Sequence, residues 1–172
     1  MDKRWIGIII ILIIGVVSMY FIVDSSTTVG TAITDVNKSV VTLPDGFYIG
    51  TSEKNSVTLN GKEHNEKIHI RDYGKPDTVK EHFEDKLYEL SHDSEMNVLN
   101  NNTLNISNFK VYQINYEDYS SGNITNTSSN YVFTCNHTFL IKMSNYDNDE
   151  KLTKDLTFIL DTLKPDYKQS QD

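Results

Sequence analysis

Cysteine is almost absent from this chain, since Cys135 is the only one among 172 residues. One cysteine cannot form a disulfide within the chain, so the folded part must be stabilised by its apolar core. Cys135 ends the apolar strand pattern that begins at Tyr131, and it is interpreted as a small buried side chain rather than a nucleophile. A disulfide between two copies of the chain is an alternative outside the cell.

The chain also lacks the motifs from which enzymatic chemistry is usually predicted. It contains no glycine-rich phosphate loop, no Cys/His spacing typical of zinc and no Gly-x-Ser-x-Gly nucleophile elbow. We therefore predict no catalytic residue, no metal ligand and no cofactor, and we do not expect an enzyme.

Positive charge is in deficit once the first residues are set aside. Removing Lys3, Arg4 and Asp2 from the 16 basic and 24 acidic residues leaves 14 against 23, a formal net charge of −9. Such a surface repels phosphate backbones, which argues against nucleic-acid binding. It attracts cations, although charge that serves solubility alone explains it equally well.

One long apolar run contrasts with this polar composition. Trp5 to Val23 covers 19 positions without a charge, enough for a helix of roughly 28 Å that crosses the hydrocarbon layer. Lys3 and Arg4 precede the run and Asp24 follows it, so the N-terminus is predicted to be cytoplasmic and the rest of the chain outside. A cleaved signal peptide is the alternative, but its apolar core is shorter, roughly 7–15 residues, and no small-x-small site follows this run.

The chain divides into five segments by composition. Residues 1–4 are predicted to be a cytoplasmic N-terminus and 5–23 an uncleaved membrane anchor. Residues 24–39 are rich in Ser and Thr and predict a stalk. Residues 40–165 are long enough for one extracytoplasmic domain, and 166–172 form a short polar tail.

Apolar periodicity predicts two helices in this domain. The first follows a capping-box pattern formed by Thr78 and Glu81, and the second ends at Lys164-Pro165. Each carries one apolar stripe, which predicts packing against a sheet. The stripes are Val79, Phe83, Leu87 and Leu90 in the first helix, and Leu152, Leu156, Ile159, Leu160 and Leu163 in the second.

Alternating apolar residues predict several strands around the first helix. Asn60-Gly61 predicts the turn of a hairpin, and 120–130 a polar loop. Strands that surround isolated helices imply the α+β class, with one antiparallel sheet flanked by two main helices. The predicted strands are 47–49, 57–59, 67–71, 103–106, 109–116, 131–134 and 139–143, the last two being either separate or one long bent strand.

Two short motifs resemble the PsbP-like family, whose fold is an antiparallel sheet between helices. They are TLPDGFYIG, which includes Pro44 to Ile49, and FILDTLKP, which includes Phe158 to Lys164. Members of the family often open with a Pro-x-x-Phe strand and close with an Ile-Leu-x-Ser-Leu-Lys helix, and Thr162 stands here where Ser is usual. The resemblance covers about residues 40–165 and implies a small membrane-anchored prokaryotic or archaeal relative of unknown role, with no catalytic residue.

The histidines are weak candidates for chemistry. His64 and His69 are five positions apart on a predicted strand, which points them to opposite faces. His82 and Asp85 lie one helical turn apart and predict a solvated pair on the polar face of the helix rather than a metal site. His137 is close to the single cysteine in sequence, but such a pair alone is weak evidence for metal binding or catalysis.

Acids and tyrosines give two further alternatives. Asp147, Asp149 and Glu150 resemble the start of a calcium loop, but Leu152 occupies the position that needs glycine, so they are predicted to open the second helix. The tyrosines of the central strands are interpreted as half-buried sheet residues rather than as the lining of a ligand groove. They are Tyr112, Tyr116, Tyr119 and Tyr131.

Asparagine is abundant, with 17 residues, and six of them begin Asn-x-Ser/Thr sequons. Chance gives about three sequons from this many asparagines, so the excess is mild. Glycosylation is compatible with an outward orientation, and an asparagine-rich composition is the other explanation. The sequon asparagines are Asn37, Asn101, Asn105, Asn123, Asn126 and Asn136.

The sequence thus predicts a non-enzymatic domain tethered to the outer face of the cell membrane by the helix from Trp5 to Val23. We expect this domain to bind or scaffold another envelope protein, and we expect no nucleic acid. Binding of a small molecule or metal ion between sheet and helix is the alternative. The sequence does not define an oligomeric state.

Overall fold

The computed structural model describes residues 33–36 and 39–165. The predicted cytoplasmic end, the anchor 5–23, most of the stalk and the tail 166–172 lie outside this part. Among the described residues, no helix combines the length and the apolar character that crossing a membrane requires. Ile33–Val36, at the end of the predicted stalk, forms a strand.

Ten strands and two helices make up the described part of the chain. The strands are β1 (Ile33–Val36), β2 (Ser39–Thr42), β3 (Phe47–Glu53), β4 (Ser56–Gly61), β5 (Lys67–Asp72), β6 (Met96–Ile106), β7 (Phe109–Asp118), β8 (Thr125–Thr134), β9 (His137–Ser144) and β10 (Lys164–Pro165). The helices are α1 (Val79–His92), between β5 and β6, and α2 (Asp149–Thr162), between β9 and β10.

Seven of these strands form one antiparallel sheet in the order β3-β4-β5-β9-β8-β7-β6. Most neighbours in this sheet are joined by short turns, whereas β5 and β9 are distant in sequence and place Ile70 opposite Ile141. The strands β1, β2 and β10 form a small second sheet in which Lys164 lies opposite Val40. The α+β class, with an antiparallel sheet and two helices, is confirmed.

The two helices pack on opposite faces of the large sheet. Val79 and Leu90 of α1 pack with Ile114, Tyr116 and Tyr131 of β7 and β8, and this side is called the α1 face. The other side, the α2 face, is covered by Leu156, Ile159 and Leu160 of α2 together with β1 and β2. Both predicted apolar stripes are therefore confirmed as the surfaces that pack on the sheet. Burial of each Leu or Ile side chain stabilises this packing by roughly 1.5–3 kcal/mol.

The hairpin predicted around Asn60-Gly61 is confirmed, since β4 and β5 pair antiparallel, but the position of its turn is wrong. Both residues belong to β4, where Asn60 pairs with Tyr48 on one side and with Lys67 on the other. The chain reverses instead at Lys54 and Asn55, and again in the loop 62–66. Ladders on both sides of β4 hold Asn60-Gly61 extended, so sheet pairing overrides the local turn preference.

The polar loop predicted at 120–130 is also wrong in its second half. The strand β8 begins at Thr125, and its polar residues from Thr127 to Asn130 are buried. The strand predicted at 103–106 is longer than expected and covers Met96–Ile106. The two-strand alternative for 131–143 is confirmed, because Cys135 and Asn136, with φ of 53° and 60°, form a turn between β8 and β9.

Local capping was predicted correctly for only one helix. The capping box at Thr78 is wrong, since its side chain makes no capping hydrogen bond; its N–H donates instead to Thr138 Oγ1 on β9, at 3.1 Å. The acidic start of α2 is confirmed, and Asn148 Oδ1 accepts a hydrogen bond from the N–H of Glu150 at 2.7 Å. A tertiary contact therefore replaces the cap of α1, whereas α2 carries its own.

Candidate functional site

The α2 face of the large sheet is not apolar throughout. Where β6, β7 and β8 run side by side, the register places Asn100 opposite Asn115, Asn102 opposite Gln113, and Gln113 opposite Asn130. These five side chains therefore share the α2 face, while the residues between them along each strand point to the α1 face. We call this set the amide ladder.

The amide ladder is a continuous chain of hydrogen bonds. Asn102 Nδ2 donates to Asn100 Oδ1 at 3.2 Å, and Asn115 Nδ2 donates to Asn100 Oδ1 at 2.9 Å. Asn115 Nδ2 also donates to Gln113 Oε1 at 3.0 Å, and Gln113 Nε2 donates to Asn130 Oδ1 at 2.8 Å. The bonded chain thus runs from the exposed edge strand into the interior of the domain.

The inner end of the amide ladder is buried and fully bonded. Asn130 has 0% exposure, and its Nδ2 donates to Ser128 Oγ at 3.2 Å and to the carbonyl of Ile141 at 3.1 Å. Gln113 is 7% exposed. Buried amides with satisfied partners rigidify a core, whereas unpaired ones are costly. The inner end therefore fixes the orientation of the outer amides.

The outer end of the amide ladder opens into a cleft beneath the first turns of α2. Two adjoining cavities of about 390 and 320 Å³ share Asn115, Asp149 and Leu152 in their lining. The ladder bonds do not use Asn115 Oδ1 or Asn100 Nδ2, so an acceptor and a donor remain at the floor. We call this space the amide cleft.

The electrostatics of the amide cleft are one-sided. Glu117, Asp147 and Asp149 contribute carboxylates, and among the described residues no Lys, Arg or His lines either cavity. A hydrogen bond from Tyr119 Oη to Glu117 Oε2, at 2.6 Å, lowers the pKa of the Glu117 carboxyl and keeps it ionised. The cleft therefore suits a neutral or cationic occupant and disfavours an anionic one.

The structure does not bring the four candidate histidines together. His64 is exposed in the loop 62–66 rather than on a strand, where it lines an open hollow of about 650 Å³. His69 lies on β5 and bonds through Nδ1 to Thr58 Oγ1 at 3.0 Å. Burial, with Lys142 and Arg71 nearby, lowers the pKa of His69.

The solvated pair predicted for His82 and Asp85 is wrong. The ring of His82 stacks on Tyr73 with 3.8 Å between centroids, and its Nε2 is buried without a hydrogen-bond partner. Asp85 is exposed. Burial lowers the pKa of His82, as do Lys75 and Arg71, against the opposing effect of Glu81 and Asp85. Because the ring of His82 packs on Tyr73, it does not lie with Asp85 on the solvated side of α1.

This arrangement predicts a pH dependence of stability. Because the folded pKa of His82 is lowered, the unfolded chain binds more protons than the folded chain near about pH 6.5. The stability that neutral His82 contributes to the folded state is present above the pKa of the unfolded chain, and it is lost as the pH falls through the pKa of the folded chain. We expect Tm to fall from about pH 7.5 to about pH 5.5, and to fall less in His82→Phe, which keeps a stacked ring. An unchanged slope of Tm against pH in this variant contradicts the assignment.

His137, the first residue of β9, forms a hydrogen bond with the buried side chain of Asp72 on β5. His137 Nδ1 and Asp72 Oδ2 are 2.7 Å apart, with side-chain exposures of 29% and 0%. Asp72 Oδ1 also accepts a hydrogen bond from the N–H of Gly74 at 2.6 Å. Cys135, half-buried against the apolar core, has its sulfur 4.0 Å from the carbonyl of Leu163. The cysteine thus contacts the core and the residue that follows α2, and His137 is hydrogen-bonded to Asp72.

Three of the four tyrosines lie in the sheet as expected, and Tyr119 follows the end of β7. Tyr116 and Tyr131 are buried under α1, and Tyr112 packs against the same cluster, 5.5 Å from the ring of Phe83. Tyr119 is exposed next to Glu117. The polar residues of the amide ladder were missed instead. Their signal in the sequence is a polar residue at both i and i+2 in three segments, 100–102, 113–115 and 128–130, although an apolar residue stands between them only at Ile114.

No protein-family profile matches this chain, and no curated protein sequence matches it either. Among solved structures, a protein of Bacteroides thetaiotaomicron is 11% identical with a TM-score of 0.53, over 80% of this chain and 49% of that one. The chain therefore spans about half the length of that protein. Similarity at this level of identity indicates a common fold only.

Two further structures match over most of both chains. CyanoP, the cyanobacterial PsbP of Synechocystis sp. PCC 6803, is 12% identical with a TM-score of 0.45, over 80% of this chain and 95% of that one. LpqN of Mycobacterium tuberculosis, which is involved in cell envelope biogenesis, is 12% identical with a TM-score of 0.47, over 80% and 87%. The described architecture, an antiparallel sheet between two helices, is the arrangement that the resemblance of the two sequence motifs implies.

Proposed function

We propose that this chain is a non-enzymatic binding domain, held at the outer face of a membrane by the helix from Trp5 to Val23, and that its amide cleft binds a segment of an envelope protein. The observation that carries the proposal is the lining of the cleft. Amides form its floor and carboxylates its rim, and its described lining holds no cationic side chain.

This lining favours a basic, extended peptide segment. Each Asn or Gln amide offers both a donor and an acceptor, which matches the alternating N–H and C=O groups of a peptide backbone. Glu117 and Asp149 attract Lys or Arg side chains, and they repel an acidic segment. Because the amide ladder is already bonded in one orientation, little conformational entropy is lost when a segment binds.

The tether is supported by the sequence. The run from Trp5 to Val23 is long enough to cross the bilayer, and Lys3 and Arg4 on one side with Asp24 on the other favour an outward orientation. Protease added to intact cells tests this placement. We expect it to digest the domain while a tag placed before the run is protected, and protection of the domain contradicts the placement.

Site-specific cross-linking in native membranes tests the cleft. A photoreactive residue replaces Leu99, which is 54% exposed in the cleft lining, or Tyr88, which is 69% exposed on α1. We expect one discrete cross-linked protein from position 99 and not from position 88. Asn115→Leu removes the central amide and should weaken the cross-link about tenfold.

The control for charge is a matched pair of substitutions. Asp149→Asn removes a carboxylate from the cleft, and Asp85→Asn removes one from the exposed side of α1. The first should weaken the cross-link several-fold, since a rim charge contributes on the order of 0.2–1 kcal/mol, and the second should leave it unchanged. Equal cross-linking in all variants contradicts the cleft as the binding site.

A small polar ligand is the second candidate, favoured by the volume of the cleft. A cavity of about 390 Å³ lies in the range of small-molecule sites. If position 99 yields no cross-linked protein, thermal-shift measurements with neutral polyols and polyamines decide this alternative. A rise in Tm that Asn115→Leu abolishes identifies the small ligand as the occupant.

A further inference from the structure

Among the described strands, β6 forms one edge of the large sheet, and its composition gives it little protection against further strand pairing. It spans eleven residues, MNVLNNNTLNI, without a charged residue or a proline. The opposite edge, β3, is shorter and contains Glu53. Each edge strand has one register shift, between Ile49 and Thr51 in β3 and between Val98 and Asn100 in β6, so length and charge are what distinguish them. Long neutral edges invite pairing with another chain, and proteins usually block them with charge, proline or a covering group.

The structure separates the sequons into two kinds. The asparagines at 101, 105, 123, 126 and 136 are all exposed. In two sequons, however, the hydroxyl residue belongs to the core. Ser128 is 2% exposed and its Oγ accepts from Asn130, while Thr138 is 0% exposed and its Oγ1 accepts from the N–H of Thr78. The hydroxyls of the sequons at Asn126 and Asn136 therefore serve the fold and are inaccessible in the folded domain.

The two sequons of β6 differ from these. Asn101 and Asn105 are exposed, and so are their hydroxyl partners Thr103 and Ser107. Their side chains alternate with those of Leu104 and Ile106, which pack towards the α2 face. Asn101 and Asn105 thus project from the other side of the edge strand, about 13 Å apart. Asn105 also borders the smaller cavity of the amide cleft.

We propose that Asn101 and Asn105 carry N-linked glycans, and that these glycans cover the free edge of the sheet. This inference rests on the outward placement in the proposed function. In the transfer, Asn Nδ2 forms a bond to the anomeric carbon of a lipid-linked sugar donor, the sugar–phosphate bond breaks, the lipid phosphate leaves, and one amide proton passes to a base of the membrane transferase. A bulky, hydrated group on this strand prevents a second strand from approaching to about 4.8 Å.

Peptide mass spectrometry of the full chain from its native membranes is the first test. We expect a glycan mass on the peptides that contain Asn101 and Asn105, and unmodified asparagine at 126 and 136. Unmodified Asn101 and Asn105 overturn the proposal, and so does modification confined to Asn126 and Asn136. Asn123 lies in the loop between β7 and β8 and does not bear on the edge.

A variant that keeps both asparagines tests the role of the glycans. Thr103→Val with Ser107→Asn destroys both sequons, and asparagine suits the φ of 53° at position 107. We expect loss of both glycans and a several-fold larger oligomeric fraction of the detergent-solubilised protein in size-exclusion chromatography. Asn101→Lys with Asn105→Lys should instead stay monomeric without glycans, since lysine guards an edge. A monomeric Thr103→Val/Ser107→Asn protein overturns the role in edge protection.

The protease experiment on intact cells separates this inference from the placement on which it rests. A domain that is digested from outside and carries no glycan at Asn101 or Asn105 overturns the glycan inference alone. A domain that is protected overturns both the placement and the inference.

Discussion

Replacing His137 with alanine is expected to lower the free energy of unfolding by about 3 kcal/mol. The substitution leaves the carboxylate of Asp72, which has no exposure, with only the N–H of Gly74 as a partner. A buried carboxylate that has lost a hydrogen-bond donor keeps its full desolvation penalty. Chemical denaturation of the solubilised chain, followed by circular dichroism, measures this loss.

The double variant His137→Ala/Asp72→Asn distinguishes this cause from lost packing. Removing the charge along with its partner should recover at least about 1 kcal/mol of the loss, because a neutral amide costs less to bury and still accepts from Gly74. If the double variant is less stable than His137→Ala alone, the stranded charge is not the cause of the loss.

Phe139→Ala is expected to cost about 3–5 kcal/mol of unfolding free energy, comparable to or larger than the cost of His137→Ala. Phe139 is 0% exposed on β9, in the cluster that joins α2 to the sheet. Truncation removes the ring from the core and leaves a cavity that the surrounding strands, fixed by their ladders, fill poorly. The midpoint of urea unfolding measures the change.

Phe133 provides the matched control on the same hairpin. Its side chain is 38% exposed to solvent. Phe133→Ala therefore removes the same atoms from a partly hydrated position and should lower the free energy of unfolding by less than about 1 kcal/mol. Similar losses of unfolding free energy in Phe139→Ala and Phe133→Ala would contradict the placement of Phe139 in the apolar core.

The helices and the fold class were predictable because their signals are local and repeated. Apolar residues spaced like Leu156, Ile159 and Leu160 fall on one face only if the segment is a helix. The periodicity therefore predicts both the helix and the face that packs against the sheet. The acidic start of α2 follows from the helix dipole in the same way. The antiparallel sheet between two helices was predictable from these elements and from the resemblance carried by two short motifs.

Features that depend on distant pairing were not predictable. Asn60-Gly61 has the strongest local turn preference in the chain, yet β3 and β5 hold it extended from both sides. Thr78 has the sequence of a helix cap, yet Thr138, 60 positions away, supplies the hydrogen bond. Pairing with two neighbouring strands in the first case, and a partner remote in sequence in the second, outweigh a local preference on the order of 1 kcal/mol.

The amide ladder could not be predicted for a related reason. A run such as Thr127 to Asn130 is polar, and polar runs are typical of loops. Its burial becomes favourable only because amides on β6 and β7 lie opposite and satisfy one another. Neither strand contains this information alone, so the candidate site emerges only from the register of the sheet.

The small sheet has a consequence for the order of the chain. The strand β2 lies between β1 and β10, so the first and last strands of the described domain share one neighbour. The two ends of the described domain therefore lie close to each other. The same packing is accessible to a circular permutant in which a short linker joins Pro165 to Ile33 and new ends open in the exposed loop 119–124. The contacts of this domain, rather than the position of its first residue, define its fold.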